Sequence, residues 1–330
     1  MKTISVIGAG AWGTAVSEII AKAGHKVFLH TRNSTIISEI NKTHRNSLYL
    51  PKIILNSNIF AVEEGDELLQ NIDAIFLAVP AQVTREVAGK MAPKVSPGIP
   101  IVICSKGIET NSCKLLSEIL VEYFPKSPLA ILSGPTFAVE AAFGLPTAVT
   151  LACKNYEVGE KLAKLINTPT FRTYYCDDVI GAQIGGAVKN VLAIACGIVV
   201  GRNLGENARA ALISRGLAEI IRLGKAKGAK IETLMGLSGI GDLALTCTAM
   251  QSRNYSLGVA LGKGNNLNKF LAKRRAVTEG VDSALSVKTL ATKLDIEMPI
   301  CNAVYNIVGQ SVEITEIINE LLNRPIKNEY

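Results

Sequence analysis

Apolar positions along the chain follow two periods, and the change between them divides the sequence. Up to about residue 177, short β-branched runs alternate with stretches of helical period. Strands are predicted at Lys2–Ile7, Lys26–Thr31, Asn58–Val62, Asp73–Val79, Pro100–Cys104, Leu129–Leu132, Thr147–Ala152 and Thr170–Tyr175. Helical patterns separate most of them, at Thr14–Ala23, Ser34–Asn41, Gln82–Met91, Cys113–Phe124, Phe137–Phe143 and Tyr156–Ile166. That alternation predicts an α/β unit with a doubly wound parallel sheet, extended by two or three strands. From Asp178 onward the helical period takes over, at Val179–Val200, Asn207–Lys227, Ile231–Leu237, Ser252–Leu261, Asn266–Ala272, Val281–Leu294, Pro299–Val308 and Ser311–Leu322. The division predicted is a nucleotide-binding domain over residues 1–178 and an all-α substrate-binding and catalytic domain over 179–330.

The first strand delivers the chain into Gly8-Ala9-Gly10-Ala11-Trp12-Gly13, and a helix follows at once. Strand, G-x-G-x-x-G and helix in that order predict a Rossmann-type dinucleotide site. Gly8 makes the tight turn, Gly10 lets the backbone approach a pyrophosphate, and Gly13 lets helix and strand pack closely. The helix N-terminus then offers its N–H groups to the phosphates. The second strand runs out at His30-Thr31-Arg32-Asn33, where a strictly NAD-binding site would carry an acid. Arg32 can pair with a 2′-phosphate instead, so NADP preference or dual use is expected.

Other unusual clusters also fall just past strand ends, the rim where such sheets bind ligands. Val79-Pro80 would border the nicotinamide ribose. Lys106, in Ser105-Lys106-Gly107, could meet a phosphate or a carbonyl, or be an ordinary loop lysine. In Ser133-Gly134-Pro135-Thr136, Thr136 is expected to cap the short helix that follows, or to lend its hydroxyl to a substrate.

Composition narrows the class. Hydrophobic residues make up 48% of the 330, which describes a well-buried globular protein. A net charge of +7 permits an anionic ligand, but the densest basic run is only Lys273-Arg274-Arg275 and aromatics are 5%, so a nucleic-acid partner is not expected. Seven scattered cysteines form no C-x-x-C pair and no metal spacing with the three histidines, which reads as reduced thiols in a cytoplasmic protein without a metal site. No signal segment precedes the first strand, and the apolar run Val191–Val200 is about half the length of a membrane span.

The helical half is organised around Gly181–Gly201. Read at about 3.6 residues per turn, the face carrying Lys189 also carries Gly185, Gly186 and Ala193. Adjacent helix-interior glycines are costly, so they predict a close approach there: either a neighbouring helix, with Lys189 snorkelling outward, or a substrate beside the amine. Asn207 is expected to cap the next helix. Between helices lies Gly236-Leu237-Ser238-Gly239-Ile240-Gly241-Asp242, whose acid could cap a helix or orient an amine such as Lys189. Ser252-Arg253-Asn254 at a helix N-terminus suits a phosphate monoester. A lysine on a buried apolar helix has the right chemistry to protonate a ketone as a hydride reduces it, because burial moves its pKa toward neutrality.

Together these segments resemble the bacterial NAD(P)-dependent sn-glycerol-3-phosphate dehydrogenase family from end to end. The resemblance rests on GAGAWGTA (8–15), NSLYLP (46–51), SKGIE (105–109), SGPTFAVE (133–140), GGAVKNV (185–191), NARAALISRGLAE (207–219), GLSGIGDLALTC (236–247), QSRN (251–254) and TEG (278–280). It implies Lys189 as proton donor and acceptor, with Lys106, Gly134, Thr136, Asp242, Ser252, Arg253 and Asn254 holding the substrate. It further implies a cofactor site, for NAD or NADP, lined by Ala11, Trp12, Arg32, Ala138, Val277 and Glu279, with Lys106 and Arg253 nearby. The implied reaction is reduction of dihydroxyacetone phosphate for glycerophospholipid synthesis, in a homodimer. Ala11, where the family often has Ser, removes a hydroxyl near the pyrophosphate but leaves the backbone donors. The nearest rival is an NADPH-dependent keto acid or hydroxyacid reductase of the same two-domain plan, whose carboxylate substrate would not need Ser252-Arg253-Asn254 plus Lys106. A protein that binds NADPH without turnover is the rival of another class, and the Lys189–Asp242 combination argues against it.

Overall fold

A computed structural model describes residues 1–63, 69, 71–272, 279–326 and 328. Its eight strands are β1 (Thr3–Ile7), β2 (Lys26–His30), β3 (Ile59–Val62), β4 (Ala74–Leu77), β5 (Ile101–Ile103), β6 (Leu129–Ser133), β7 (Thr147–Cys153) and β8 (Phe171–Cys176). They form one sheet in the order β3-β2-β1-β4-β5-β6-β7-β8. The order reverses between β1 and β4, which places the switch point, and therefore the ligand crevice, at the ends of those two strands. The central strands are continuous apolar runs because both faces are covered. Ile4, Val6, Phe76 and Val102 pack with one set of helices, while Ile7, Ile75, Leu77, Ile101 and Ile103 pack with the other. The first face is covered by α1 (Ala11–Lys22) and α2 (Ser34–Thr43), the second by α3 (Thr84–Met91) and α4 (Leu116–Tyr123).

One feature departs from the expected parallel sheet: β7 pairs antiparallel with β6. The connection between them holds only the six-residue helix α5 (Ala138–Phe143), which packs on α1. No full-length helix crosses the sheet there, so the chain returns beside β6 in the opposite sense. After α6 (Tyr156–Ile166), β8 again runs parallel to β7.

The rest is helical: α7 (Val179–Gly201), α8 (Glu206–Lys227), α9 (Ile231–Leu234), α10 (Asp242–Thr248), α11 (Arg253–Gly262), α12 (Leu267–Ala272), α13 (Glu279–Lys293), α14 (Pro299–Gln310) and α15 (Ile314–Leu322). Asp178 caps α7 by accepting from Gly181 N at 2.8 Å, and its other oxygen accepts from Lys230 N ahead of α9. Asn207 does not cap α8. The helix starts one residue earlier, behind Gly205, whose φ of +89° suits glycine. By length and composition alone the 23-residue α7 could cross a bilayer, but 94% of its most apolar window is buried among the other helices. It is the core helix, touching α8, α10, α11, α13 and α14. Its closest neighbour is α11. A Cβ on Gly197 would lie 2.8 Å from Gly258 Cα, and one on Gly201 would lie 2.9 Å from Gly262 Cα, so four glycines let the two backbones touch. That contact fixes where α11 begins.

Candidate active site

Lys189 sits in the middle of α7, 6% exposed. Its Nζ donates to Asp242 Oδ1 at 2.6 Å and to Thr246 Oγ1 at 2.8 Å. Asp242 is fully buried at the start of α10, and its other oxygen accepts from Lys106 Nζ at 2.5 Å. Two ammonium groups from different halves of the chain therefore share one carboxylate. Lys106 also reaches the Gly134 carbonyl at 3.4 Å. Thr246 donates to the Asp242 backbone carbonyl at 2.6 Å, which turns its lone pairs toward Lys189. Burial lowers the Lys189 pKa to about 8; Asp242 opposes that shift and Lys106 adds to it. The amine is thus mostly protonated at neutral pH yet can lose its proton slightly above it.

The glycines before Lys189 do not floor an empty pocket. A Cβ on Gly185 would lie 2.2 Å from the Ser238 carbonyl oxygen, so the π-helical turn Leu237–Gly241 fills that space. A Cβ on Gly186 would lie 3.2 Å from Ser133 Oγ and 3.4 Å from the Lys106 stem. Gly185 brings the turn, and with it Asp242, against α7; Gly186 admits Lys106. The expected close approach is therefore present, but a turn and a lysine stem make it, and Lys189 is buried and paired where snorkelling would have exposed it.

Among the residues expected at the site or beside it, three buried polar atoms have no hydrogen-bond partner among the described residues: Ser133 Oγ, close to Gly186, Thr136 Oγ1, and Trp12 Nε1 in the glycine loop. Orphaned buried hydroxyls and ring N–H groups are costly. Thr136 is not the expected cap, because Phe137 holds the N-cap position of α5 without a side-chain bond. Gly134 has φ +150°, and a Cβ there would lie 2.9 Å from Val149 Cα, so only glycine fits beneath Lys106.

Ser252 caps α11, accepting from Tyr255 N at 3.2 Å. Arg253 follows, exposed at the first helical position. Asn254 is buried, with Oδ1 accepting from Gly280 N at 3.0 Å, which points its NH₂ end elsewhere. Glu279, at the start of α13, accepts from Asn190 Nδ2 at 3.3 Å. Burial raises its pKa, against the pull of Arg253, Lys106 and Lys189. Arg253, Glu279 and both lysines thus lie within electrostatic reach of one another. Val277 lies outside the described residues.

At the switch point the glycine loop is as tight as its motif demands. Gly8 has φ +108°, and a Cβ on it would lie 2.7 Å from Ala78 O; one on Gly13 would lie 1.8 Å from Gly8 O. A Cβ on Gly10 would meet nothing within 4 Å, so that face of the loop is open to a ligand. No side chain caps α1. Ala11, Trp12 and Ala138 pack partly buried beside the loop. At the end of β2, Thr31, Arg32, Asn33 and Ser34 line an open hollow, with Asn33 capping α2 through Thr35 N and Ile36 N. These residues fit a dinucleotide: an uncapped helix N-terminus, an open glycine face and an orphaned indole N–H.

Several residues in this arrangement carry no local signal in the sequence. Thr246 stands one helical turn beyond Asp242, in a helix too short to announce itself by period. Ser133 and Asn190 are flanked by residues already singled out, yet only the tertiary contacts show what they face.

A dinucleotide cradle at the switch point of the sheet, together with a lysine–carboxylate cluster built on the helical half, defines an NAD(P)-dependent oxidoreductase. The profile of the NAD-dependent glycerol-3-phosphate dehydrogenase N-terminus matches residues 3–159 and that of the C-terminus matches 178–319. The chain is 50% identical over 328 residues to the glycerol-3-phosphate dehydrogenase [NAD(P)+] of Parvibaculum lavamentivorans, covering 99% of this chain and 98% of that one. It is also 50% identical, over 326 residues, to the enzyme of the same name from Rhodospirillum rubrum, covering 99% of this chain and 93% of that one. The crystal structure of glycerol-3-phosphate dehydrogenase from Coxiella burnetii superposes with a TM-score of 0.94 at 38% identity, covering 98% of this chain and 99% of that one. The chain belongs to the NAD-dependent glycerol-3-phosphate dehydrogenase family, and its cofactor is NAD or NADP.

Proposed function

We propose that the chain catalyses the reversible reduction of dihydroxyacetone phosphate to sn-glycerol 3-phosphate, with Lys189 as proton donor and acceptor. The observation that carries this reading is the Lys189–Asp242–Lys106 cluster beside a phosphate-type helix N-terminus. When bound, the reduced nicotinamide supplies a hydride to the carbonyl carbon. Negative charge then builds on the carbonyl oxygen, and Lys189 Nζ gives it a proton to complete the alcohol. Asp242 keeps the ammonium charged despite its burial and aims it together with Thr246. In the reverse direction the neutral amine takes the hydroxyl proton back.

Lys106 shares Asp242, so in this reading its ammonium serves the reacting end, nearer the carbonyl than the phosphate anchor expected from the sequence. Arg253 and the Asn254 amide, at the N-terminus of α11, then hold the phosphate. Ser252 fixes that terminus, and Gly134 and Thr136 border the substrate, with the orphaned Thr136 hydroxyl free to take up one of its oxygens. Gly8, Gly10, Ala11, Trp12, Gly13, Ala138 and Glu279 line the cofactor, and Arg32 meets the 2′-phosphate of NADP. Val277 joins them on family likeness alone. The change of period gives proposed domains at 1–178 and 179–330, composition a cytoplasmic location, and the family likeness a homodimer and a role in supplying glycerophospholipid synthesis.

The keto acid reductase remains the competing reading, and Arg253-Asn254 disfavours it. Initial rates with each coenzyme on dihydroxyacetone phosphate, ketopantoate and succinate semialdehyde separate the two. Coenzyme oxidation with the phosphorylated ketone alone is expected; oxidation only with a keto acid would overturn the proposal.

A further inference from the structure

The segment NSLYLP (46–51) lies outside the chemistry described so far, yet its first residue reaches into the cofactor loop. Asn46 is 0% exposed. Its Nδ2 donates to the Ala9 carbonyl oxygen at 3.0 Å and to Thr14 Oγ1 at 2.9 Å, while Thr14 Oγ1 also faces Ala9 O at 3.3 Å. Ala9 O can only accept, so the amide must present its NH₂ end to the loop. The other end, Oδ1, is buried with no partner among the described residues. A side chain retained for packing alone would not leave an amide oxygen stranded. The backbone carbonyl of Asn46 meanwhile accepts from Tyr49 N at 3.2 Å and Leu50 N at 2.8 Å, so the side chain springs from a closed turn that holds it in place.

The consequence follows from peptide geometry. In a trans peptide the C=O and the following N–H point in opposite directions. Holding Ala9 O toward Asn46 therefore turns the Gly10 N–H the opposite way, and the loop is uncrowded at this residue, since a Cβ on Gly10 would meet nothing within 4 Å. We propose that Asn46 is a positioning residue for the cofactor, locking the Ala9–Gly10 peptide so that the Gly10 N–H faces the diphosphate. With Asn46 absent, Ala9 O keeps only the longer contact from Thr14 Oγ1 at 3.3 Å, so the peptide is held less firmly and the Gly10 donor is less preorganised.

Trp12 is the single tryptophan of the chain and sits in this loop, so its fluorescence reports coenzyme binding without turnover. In titrations of the full chain, Asn46→Ala and the near-isosteric Asn46→Asp should each raise Kd for NADPH and NADH by the same factor. That factor is about tenfold, or roughly 1.4 kcal/mol. KM for dihydroxyacetone phosphate should not change. Leu50→Ala controls for damage to the segment, since it removes a buried side chain of the same turn and leaves Ala9 O held. It should lower Tm and leave both Kd values within about twofold. Unchanged Kd in both Asn46 variants, or a Kd rise in Leu50→Ala equal to theirs, would overturn the proposal.

Discussion

Replacing Asp242 by Asn removes the one carboxylate that the buried Lys189 and the partly buried Lys106 share, and the expected result is a displaced pH profile. Lys189 Nζ lies 2.6 Å from Asp242 Oδ1, and its pKa is about 8 with that carboxylate in place. At an effective dielectric constant of about 20, an ion pair at roughly 4 Å is worth about 4 kcal/mol. The Asn amide oxygen still accepts a hydrogen bond and recovers part of this, so a net loss of about 2.7 kcal/mol, or two pKa units, is a fair expectation. The Lys189 pKa would then fall to about 6, and at pH 7.5 its protonated fraction would drop from about three-quarters to about 3%. Ketone reduction should slow roughly 25-fold at that pH from protonation alone. The sign is specific: the ammonium is the active form, so activity is present below the pKa and lost as pH rises through it. Initial rates of dihydroxyacetone phosphate reduction from about pH 5.5 to 9 read this directly. Asp242→Asn should recover toward pH 5.5, with its limb moved from about 8 to about 6. A loss by the same factor at every pH, with the limb still near 8, would refute the reasoning.

Further outcomes follow from the same geometry. Arg253→Ala should raise KM for dihydroxyacetone phosphate by about 10–100-fold, the loss of a charged hydrogen-bond donor, with kcat less affected; a normal KM in steady-state kinetics would remove Arg253 from the phosphate site. Arg32→Ala should raise KM for NADPH about tenfold and leave NADH unchanged, narrowing the gap between coenzymes; equal effects on both would take Arg32 away from the 2′-phosphate. Gly185→Ala places a methyl 2.2 Å from the Ser238 carbonyl and pushes the turn that carries Asp242. Its kcat should fall at least tenfold, about 1.4 kcal/mol, while coenzyme Kd by Trp12 fluorescence stays within about twofold. Unimpaired kcat would show that the turn does not position the cluster.

Part of this arrangement is legible in the sequence, for a physical reason. Gly8, Gly10 and Gly13 lie within one turn of chain and answer to local geometry, and the strand and helix around them carry their own periods. The start of α11 at Ser252-Arg253-Asn254 was legible for the same local reason, although Ser252, expected to hold substrate, is seen capping the helix. Lys189 stood out as a charge in the middle of an apolar helix, and Asp242 as an acid that could partner it. What could not be read is what that partner does twice over. The Lys106–Asp242 bond joins residues 136 positions apart, and no pattern in either segment encodes it. The glycines at 185 and 186 announced a close approach without saying whose; the Ser238 turn and the Lys106 stem, not substrate, occupy those spaces. The antiparallel β7 was likewise hidden, since its apolar alternation is the same in either direction and only the short α5 connection decides it. Thr136 resembled a cap by composition, whereas Phe137 holds the N-cap position and the Thr136 hydroxyl is buried without a partner among the described residues.

The central claim is that Lys189 moves the proton, and Lys189→Ala tests it most directly. The measurement pairs kcat for dihydroxyacetone phosphate with NADPH affinity read from Trp12 fluorescence. The predicted result is a fall in kcat of about 10²–10⁴-fold, with NADPH Kd within about twofold and the pH limb near 8 abolished. A kcat within a few-fold of the unsubstituted enzyme, with that limb still present, would contradict it.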